Sequence, residues 1–173
     1  PQIARDKVPV VDGSAGGRAI AEGRCQVFSA DISELASVRS GMENPRGFRI
    51  LADRISQEPL AQLVRQEDVD LFNVLRWTVF AMIAAEELGV TSANVSEMAV
   101  RDDPEIARLL GMSPGNGAAL GLDEAWARHV IAEVGNYGEV FERNLGMATP
   151  IAMERGLNAL WTRGGLLFAP PLK

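Results

Sequence analysis

One stretch limits the fold of this chain more than any other. From Leu71 to Ala85 the only charged or amide side chains are Asn73 and Arg76. A helix rises about 1.5 Å per residue, so this run is too short to cross the roughly 30 Å of a bilayer's hydrocarbon core. It reads instead as the middle of a buried helix over 68–88, closed by Gly89. A helix that is apolar nearly all round must be wrapped by other elements.

The downstream sequence supplies them. A helix starts near Asn94 or Ser96 and runs toward Leu110 across Pro104. An amphipathic one over 122–134 carries Trp126 and His129, and shorter segments cover 137–144 and 151–161. Gly164-Gly165 ends the last of these, and Pro170-Pro171 prevents anything regular beyond.

Upstream the pattern changes. Val8-Pro9-Val10-Val11, closed by Asp12-Gly13, reads as a strand and turn. Ser14 to Gly17 reads as a flexible turn. It lacks the Lys-Ser/Thr that would make a phosphate loop, and a short helix over 18–22 follows, ending at Gly23. Cys25 to Ala30 alternates apolar and polar residues, a second strand. Asp31, with Glu34 three residues on, approximates a capping box for a helix to about Arg39. Phe48-Arg49-Ile50-Leu51 is a third strand, and 58–65 an extended crossing segment. The first 65 residues are thus β–α in style and the rest almost all helix, an α/β chain with no internal repeat or low-complexity tract.

The net charge of −6, from 17 basic and 23 acidic residues, argues against nucleic acid as a partner, since such affinity rests on clustered Lys and Arg. With one cysteine, Cys25, and one histidine, His129, neither an intramolecular disulfide nor a Cys/His zinc site can be built. The two lie far apart in sequence with nothing around them to support a nucleophile. No metal or cofactor is expected. Residues 1–7 lack the basic-then-apolar pattern of a signal peptide. Glu86-Glu87 and Asp102-Asp103 are adjacent carboxylates that point apart on a helix, so they read as solvated faces rather than catalytic dyads. Trp77, Trp126 and Trp161 read as packing residues, and His129, beside Arg128, as a surface group.

Three stretches carry a specific likeness. They are Val134-Gly135-Asn136-Tyr137-Gly138-Glu139-Val140-Phe141-Glu142-Arg143-Asn144; Arg155-Gly156-Leu157-Asn158-Ala159-Leu160-Trp161 with Gly164-Gly165-Leu166 and Ala169-Pro170-Pro171; and Glu58-Pro59-Leu60 with Val64-Arg65-Gln66, Trp77-Thr78 and Phe80-Ala81. Together they resemble the general L-amino-acid-binding proteins of polar amino-acid ABC importers, which belong to the type II periplasmic-binding-protein family. That family has two α/β lobes hinged around a buried amino acid. The resemblance implies an incomplete version of the fold without the N-terminal lobe. Residues 1–67 would be a remnant of the second, ligand-binding lobe. Residues 68–173 would be the connecting long helix and the C-terminal helices that normally pack on the first.

The resemblance also implies a site. The family's strand-end Thr-Thr-Asp, whose Asp pairs with the ligand's α-ammonium group, matches Ser29-Ala30-Asp31. Asp31 and Ser29 are therefore the expected ligand-binding residues, and a purely capping role for Asp31 is the competing reading. The arginine that holds the ligand's α-carboxylate lies in the family's first lobe, and no arginine here sits in a matching motif. Cys25 falls where the family has a cysteine paired within the second lobe, to a partner that this sequence does not contain. The implied function is non-covalent capture of an L-amino acid in the periplasm and its delivery to an ABC permease, with no enzymatic step. A truncated homologue that self-associates through exposed helices, or binds another partner, is the alternative. An enzyme on the same scaffold, akin to the cyclohexadienyl dehydratases, is less favoured because no acid–base pair stands out.

Overall fold

A computed structural model describes Pro9 and residues 12–172. The chain divides into two compact units, one running to Leu60 and including Pro150–Met153, the other comprising Ala61–Thr149 and Glu154 onward.

The first unit is built on two helices, α1 (Gly13–Ala21) and α2 (Ile32–Ser40), packed together. Asp12 starts α1, its Oδ1 accepting from the Ala15 amide at 2.7 Å. Ser14 to Gly17, expected to be a flexible turn, is therefore helix. The reason is packing: a Cβ at Gly16 would run into the Phe28 ring, and one at Gly17 would lie 2.7 Å from Val38 Cγ1. Two glycines cost the helix roughly 0.5–1 kcal/mol each in propensity, but only glycine lets Phe28 and α2 come this close.

The strands expected at Cys25–Ala30 and Phe48–Leu51 are not formed. Among the described residues neither segment has a ladder partner, and the only β-bridge is an isolated one between Leu160 and Leu167. A strand exists only through its pairing, so an alternating sequence without a neighbour stays irregular. The segment expected as a strand at Val8–Val11 lies, apart from Pro9, outside the described residues.

The second unit wraps α3 (Val69–Glu87), the helix that the apolar run foretold. Asp68 caps it through the Leu71 amide at 3.0 Å, and Gly89 leaves it at φ +69°. Ala81, Ile83 and Ala85 in its C-terminal half are buried. Around it run α4 (Val95–Met98), α5 (Pro104–Leu109), α6 (Asn116–Ala119), α7 (Trp126–Val134) and α8 (Tyr137–Asn144). The core joins Ala81 and Ala85 to Val90, Val95, Ile106, Leu110, Trp126 and Ile131. Each large aliphatic side chain fully buried there contributes about 1.5–3 kcal/mol.

The helix expected over 122–134 begins only at Trp126, and two others differ more. The one running toward Leu110 breaks in two, because Pro104 cannot occupy a helix interior and instead starts α5 at its first turn. Asp103 caps that start, accepting from the amides of Glu105 and Ile106. The segment 151–161 is not a helix but ends in short 3-10 turns at Gly156–Asn158 and Trp161–Arg163. Its backbone turns on Gly165, where a Cβ would collide with the Ala159 carbonyl, and Trp161 donates its amide to Leu167 at 2.8 Å.

Candidate functional site

Ser29 and Asp31 lie in the first unit, on the segment that leads from Phe28 into α2. Phe28 rests against Gly16 of α1, which anchors this segment. Burial alternates along it: Phe28 and Ala30 are half-buried, and Val27 and Ser29 are exposed. Asp31 is the residue before α2, with φ −58° and ψ 145°, and its carbonyl accepts the Leu35 amide at 2.9 Å. Its carboxylate makes no cap hydrogen bond and is exposed. The capping box expected with Glu34 is therefore absent. Between α1 and α2 is an open cleft of about 340 Å³ lined by Gly17, Arg18, Ala21, Val38, Met42 and Glu43; Asp31 is not among its walls. Cys25 is a half-buried free thiol.

The residues that carried the sequence likeness converge elsewhere, in the second unit. Arg155 reaches Glu86 on α3 by a two-pronged contact, 3.0 Å from each guanidinium nitrogen to a carboxylate oxygen. The same guanidinium donates to the Asn158 carbonyl at 3.0 and 2.8 Å. It also lies 5.4 Å from the Tyr137 ring centre and 5.2 Å from that of Phe141. Gly138 leaves room for this, since a Cβ there would sit 2.9 Å from the Glu86 carboxyl carbon. Glu87, the next residue, accepts instead from the Trp161 indole at 3.0 Å. Adjacent carboxylates do point apart, but each meets a partner. Glu86, with 8% of its side chain exposed, is no solvated group. Trp161, expected as a packing residue, is 62% exposed, whereas Trp126 is buried and His129 exposed as expected.

The other motif builds a capping box. The Asn136 side chain accepts from the Glu139 amide at 2.9 Å, and the Glu139 carboxylate accepts from the Asn136 amide at 2.8 Å. Asn136 is buried and donates its amide group to the Val90 carbonyl at 2.8 Å. Glu139 also accepts from the hydroxyl and backbone amide of Ser92. Burial pushes the Glu139 carboxyl up, but the Ser92 hydroxyl, the Asn136 and Ser92 amides and Arg143 outweigh it, and the net shift is downward. The Glu124 carboxyl is also held below its usual range, by the amides of Gly117, Ala118 and Gly115. The Asn-x-x-Glu spacing from Asn136 to Glu139 was open to reading from sequence alone; the Glu86–Arg155 pair, 69 residues apart, had no local signal.

Among the described residues no cluster of His, Cys, Asp or Glu could hold a metal ion, and no helix is long and apolar enough to cross a membrane.

No family model matches the chain. Its fold is that of part of a periplasmic binding protein. It superposes on such a protein from Brucella ovis, solved with glutathione bound, with a TM-score of 0.86 and 44% identity over 92% of this chain and 50% of that one. In sequence it is homologous to the amino-acid-binding periplasmic proteins of ABC transporters. It is 48% identical to the general L-amino acid-binding periplasmic protein AapJ of Rhizobium johnstonii, over 87% of this chain and 45% of that protein. It is 44% identical to the glutamate/glutamine/aspartate/asparagine-binding protein BztA of Rhodobacter capsulatus, over 96% and 49%. The putative amino-acid ABC transporter-binding protein YhdW of Escherichia coli K12 is 43% identical over 90% and 46%. The chain thus spans about half the length of the curated relatives it matches.

Proposed function

We propose that this chain forms part of a periplasmic solute-binding protein that captures L-amino acids without covalent chemistry and hands them to an ABC permease. The homology to amino-acid-binding proteins at 43–48% identity carries this reading. In it, residues 1–67 belong to the ligand-binding second lobe, and 68–173 supply the long helix and the helices that pack on the first. Asp31 accepts a hydrogen bond from the ligand's α-ammonium group, and Ser29 lies beside it. The exposed carboxylate of Asp31, not consumed in capping its own helix, supports this role.

The ligand class follows from shared chemistry. A free amino acid and the γ-glutamyl end of glutathione, the ligand of the Brucella ovis neighbour, present the same α-ammonium and α-carboxylate head. A carboxylate reads the ammonium; the ligand's own carboxylate needs a cationic partner, which the family resemblance puts in the first lobe.

Calorimetry tests the reading on this chain joined to the unmatched half of AapJ, against a panel of L-amino acids and glutathione. Binding of at least one is expected, and Asp31→Asn should weaken it by about 1.5–3 kcal/mol, ten- to a hundredfold. Binding unchanged by Asp31→Asn would remove Asp31 from the site. No binding by the folded protein would refute the functional reading.

A further inference from the structure

We propose that Asn116–Gly117 is a site of spontaneous covalent modification, an asparagine primed to cyclise onto its neighbour, and that the Glu124 carboxylate is the lock that holds it unreacted. None of this depends on what ligand the protein binds.

The sequence supplies the hazard. Of seven asparagines only Asn116 precedes a glycine. Glycine has no Cβ to hinder the approach of its backbone nitrogen to the side-chain carbon of the residue before it. In that attack the Gly117 nitrogen loses its proton to solvent and bonds to Asn116 Cγ, and the Cγ–Nδ2 bond breaks with release of ammonia. Water then opens the cyclic imide at one carbonyl or the other, leaving an aspartate or an isoaspartate. Only water is consumed, and nothing is oxidised. The fold cannot avoid the glycine, since a Cβ at 117 would lie 2.5 Å from the Asp123 carbonyl oxygen and 2.6 Å from Glu124 Cα.

The structure supplies the lock. The Gly117 amide, which carries the attacking nitrogen, donates to Glu124 Oε2 at 3.0 Å. The Gly115 amide donates to the same oxygen at 3.0 Å, and the Ala118 amide to Oε1 at 3.1 Å. The Gly117, Ala118 and Gly115 amides hold the Glu124 carboxyl below its usual range, so it accepts these hydrogen bonds without taking a proton. Asn116 begins α6 and Gly117 is buried within it. A nitrogen fixed by a hydrogen bond in a helical turn cannot swing onto Cγ, so cyclisation waits for the turn to open. The product cannot close the same turn again. An isoaspartate adds a backbone atom between the amides of 115 and 117, which share one oxygen, and either acid puts a second carboxylate into the turn that Glu124 closes. One event therefore releases the loop permanently.

Peptide mass mapping of the 173-residue chain, held at one neutral pH with and without urea, tests this. The tryptic peptide 109–128 reports the amide-to-acid exchange, and chromatography separates its two products. The folded chain should convert at least about tenfold more slowly than the urea-unfolded chain. Glu124→Ala should speed conversion in the folded chain roughly tenfold, with its circular dichroism retained. Asn116→Gln should end it, and Asn136→Ala, which weakens the second unit elsewhere, should leave the rate unchanged. Equal rates with and without urea overturn the proposal, as does no conversion in either. So does a folded Glu124→Ala chain that converts no faster than the unaltered one. An Asn136→Ala rate raised as much as that of Glu124→Ala also overturns it, since unfolding of the whole unit would then be the gate. Should Glu124→Ala not fold, Glu124→Gln, which keeps one acceptor oxygen, gives the same reading with a smaller increase.

Discussion

Arg155 shares its guanidinium between a carboxylate that is 8% exposed, a backbone carbonyl and two aromatic rings. Removing one partner of a buried ion pair strands the other, so Glu86→Ala should lower the stability of the second unit by about 3 kcal/mol, read from the urea midpoint. Arg155→Lys keeps the charge and loses the two-pronged geometry, and should cost less. The acidic groups add a pH dependence. Glu139 and Glu124 have folded pKa values below their unfolded ones. The unfolded chain therefore binds their protons first, and the stability they contribute is complete above the unfolded value near 4.5. It is lost as pH falls through the lowered folded values. Urea titrations between pH 7 and pH 3 should show that fall, and Glu139→Gln should flatten it.

At the scale of elements, close approach decides what propensity leaves open. In α1 the paired glycines look like a break, yet they form the contact surface for Phe28 and Val38. Gly16→Ala, favourable by propensity, should therefore destabilise the first unit by roughly 1–3 kcal/mol through overpacking, measured by thermal unfolding followed by circular dichroism. Gly17→Ala should act in the same direction. In α8 the cap matters twice, because Asn136 holds both the Glu139 amide and the Val90 carbonyl. Asn136→Ala should cost about 2 kcal/mol or more, above the ~1 kcal/mol of an ordinary cap, while Asp103→Ala should cost only the latter.

At the scale of the whole molecule, the chain holds a candidate ammonium acceptor and no assigned partner for a ligand's carboxylate. The 173-residue chain alone should bind L-amino acids at least a thousandfold more weakly than its fusion to the unmatched half of AapJ, measured by calorimetry, since it lacks several kcal/mol of paired contacts. The first turn of α3 exposes Val69, Leu71 and Phe72 by 59%, 44% and 47%.

What could be read without coordinates was whatever is local or periodic. The apolar run with its Asp68 start and Gly89 stop became α3, and Tyr137–Asn144 became α8 with the expected bounds, because hydrogen bonds within a helix join residues four apart. The family likeness was legible for another reason: its motifs are continuous runs of residues, and two of them meet where Arg155 lies over the Tyr137 and Phe141 rings. Only the tertiary structure decided the rest. Whether Gly16 breaks or packs a helix depends on Phe28, and whether Glu86 is solvated depends on Arg155 far along the chain. Whether an alternating segment is a strand depends on a neighbour that 25–30 does not have among the described residues. Sequence determines what a segment is able to pair with; only the folded chain determines whether that partner is there.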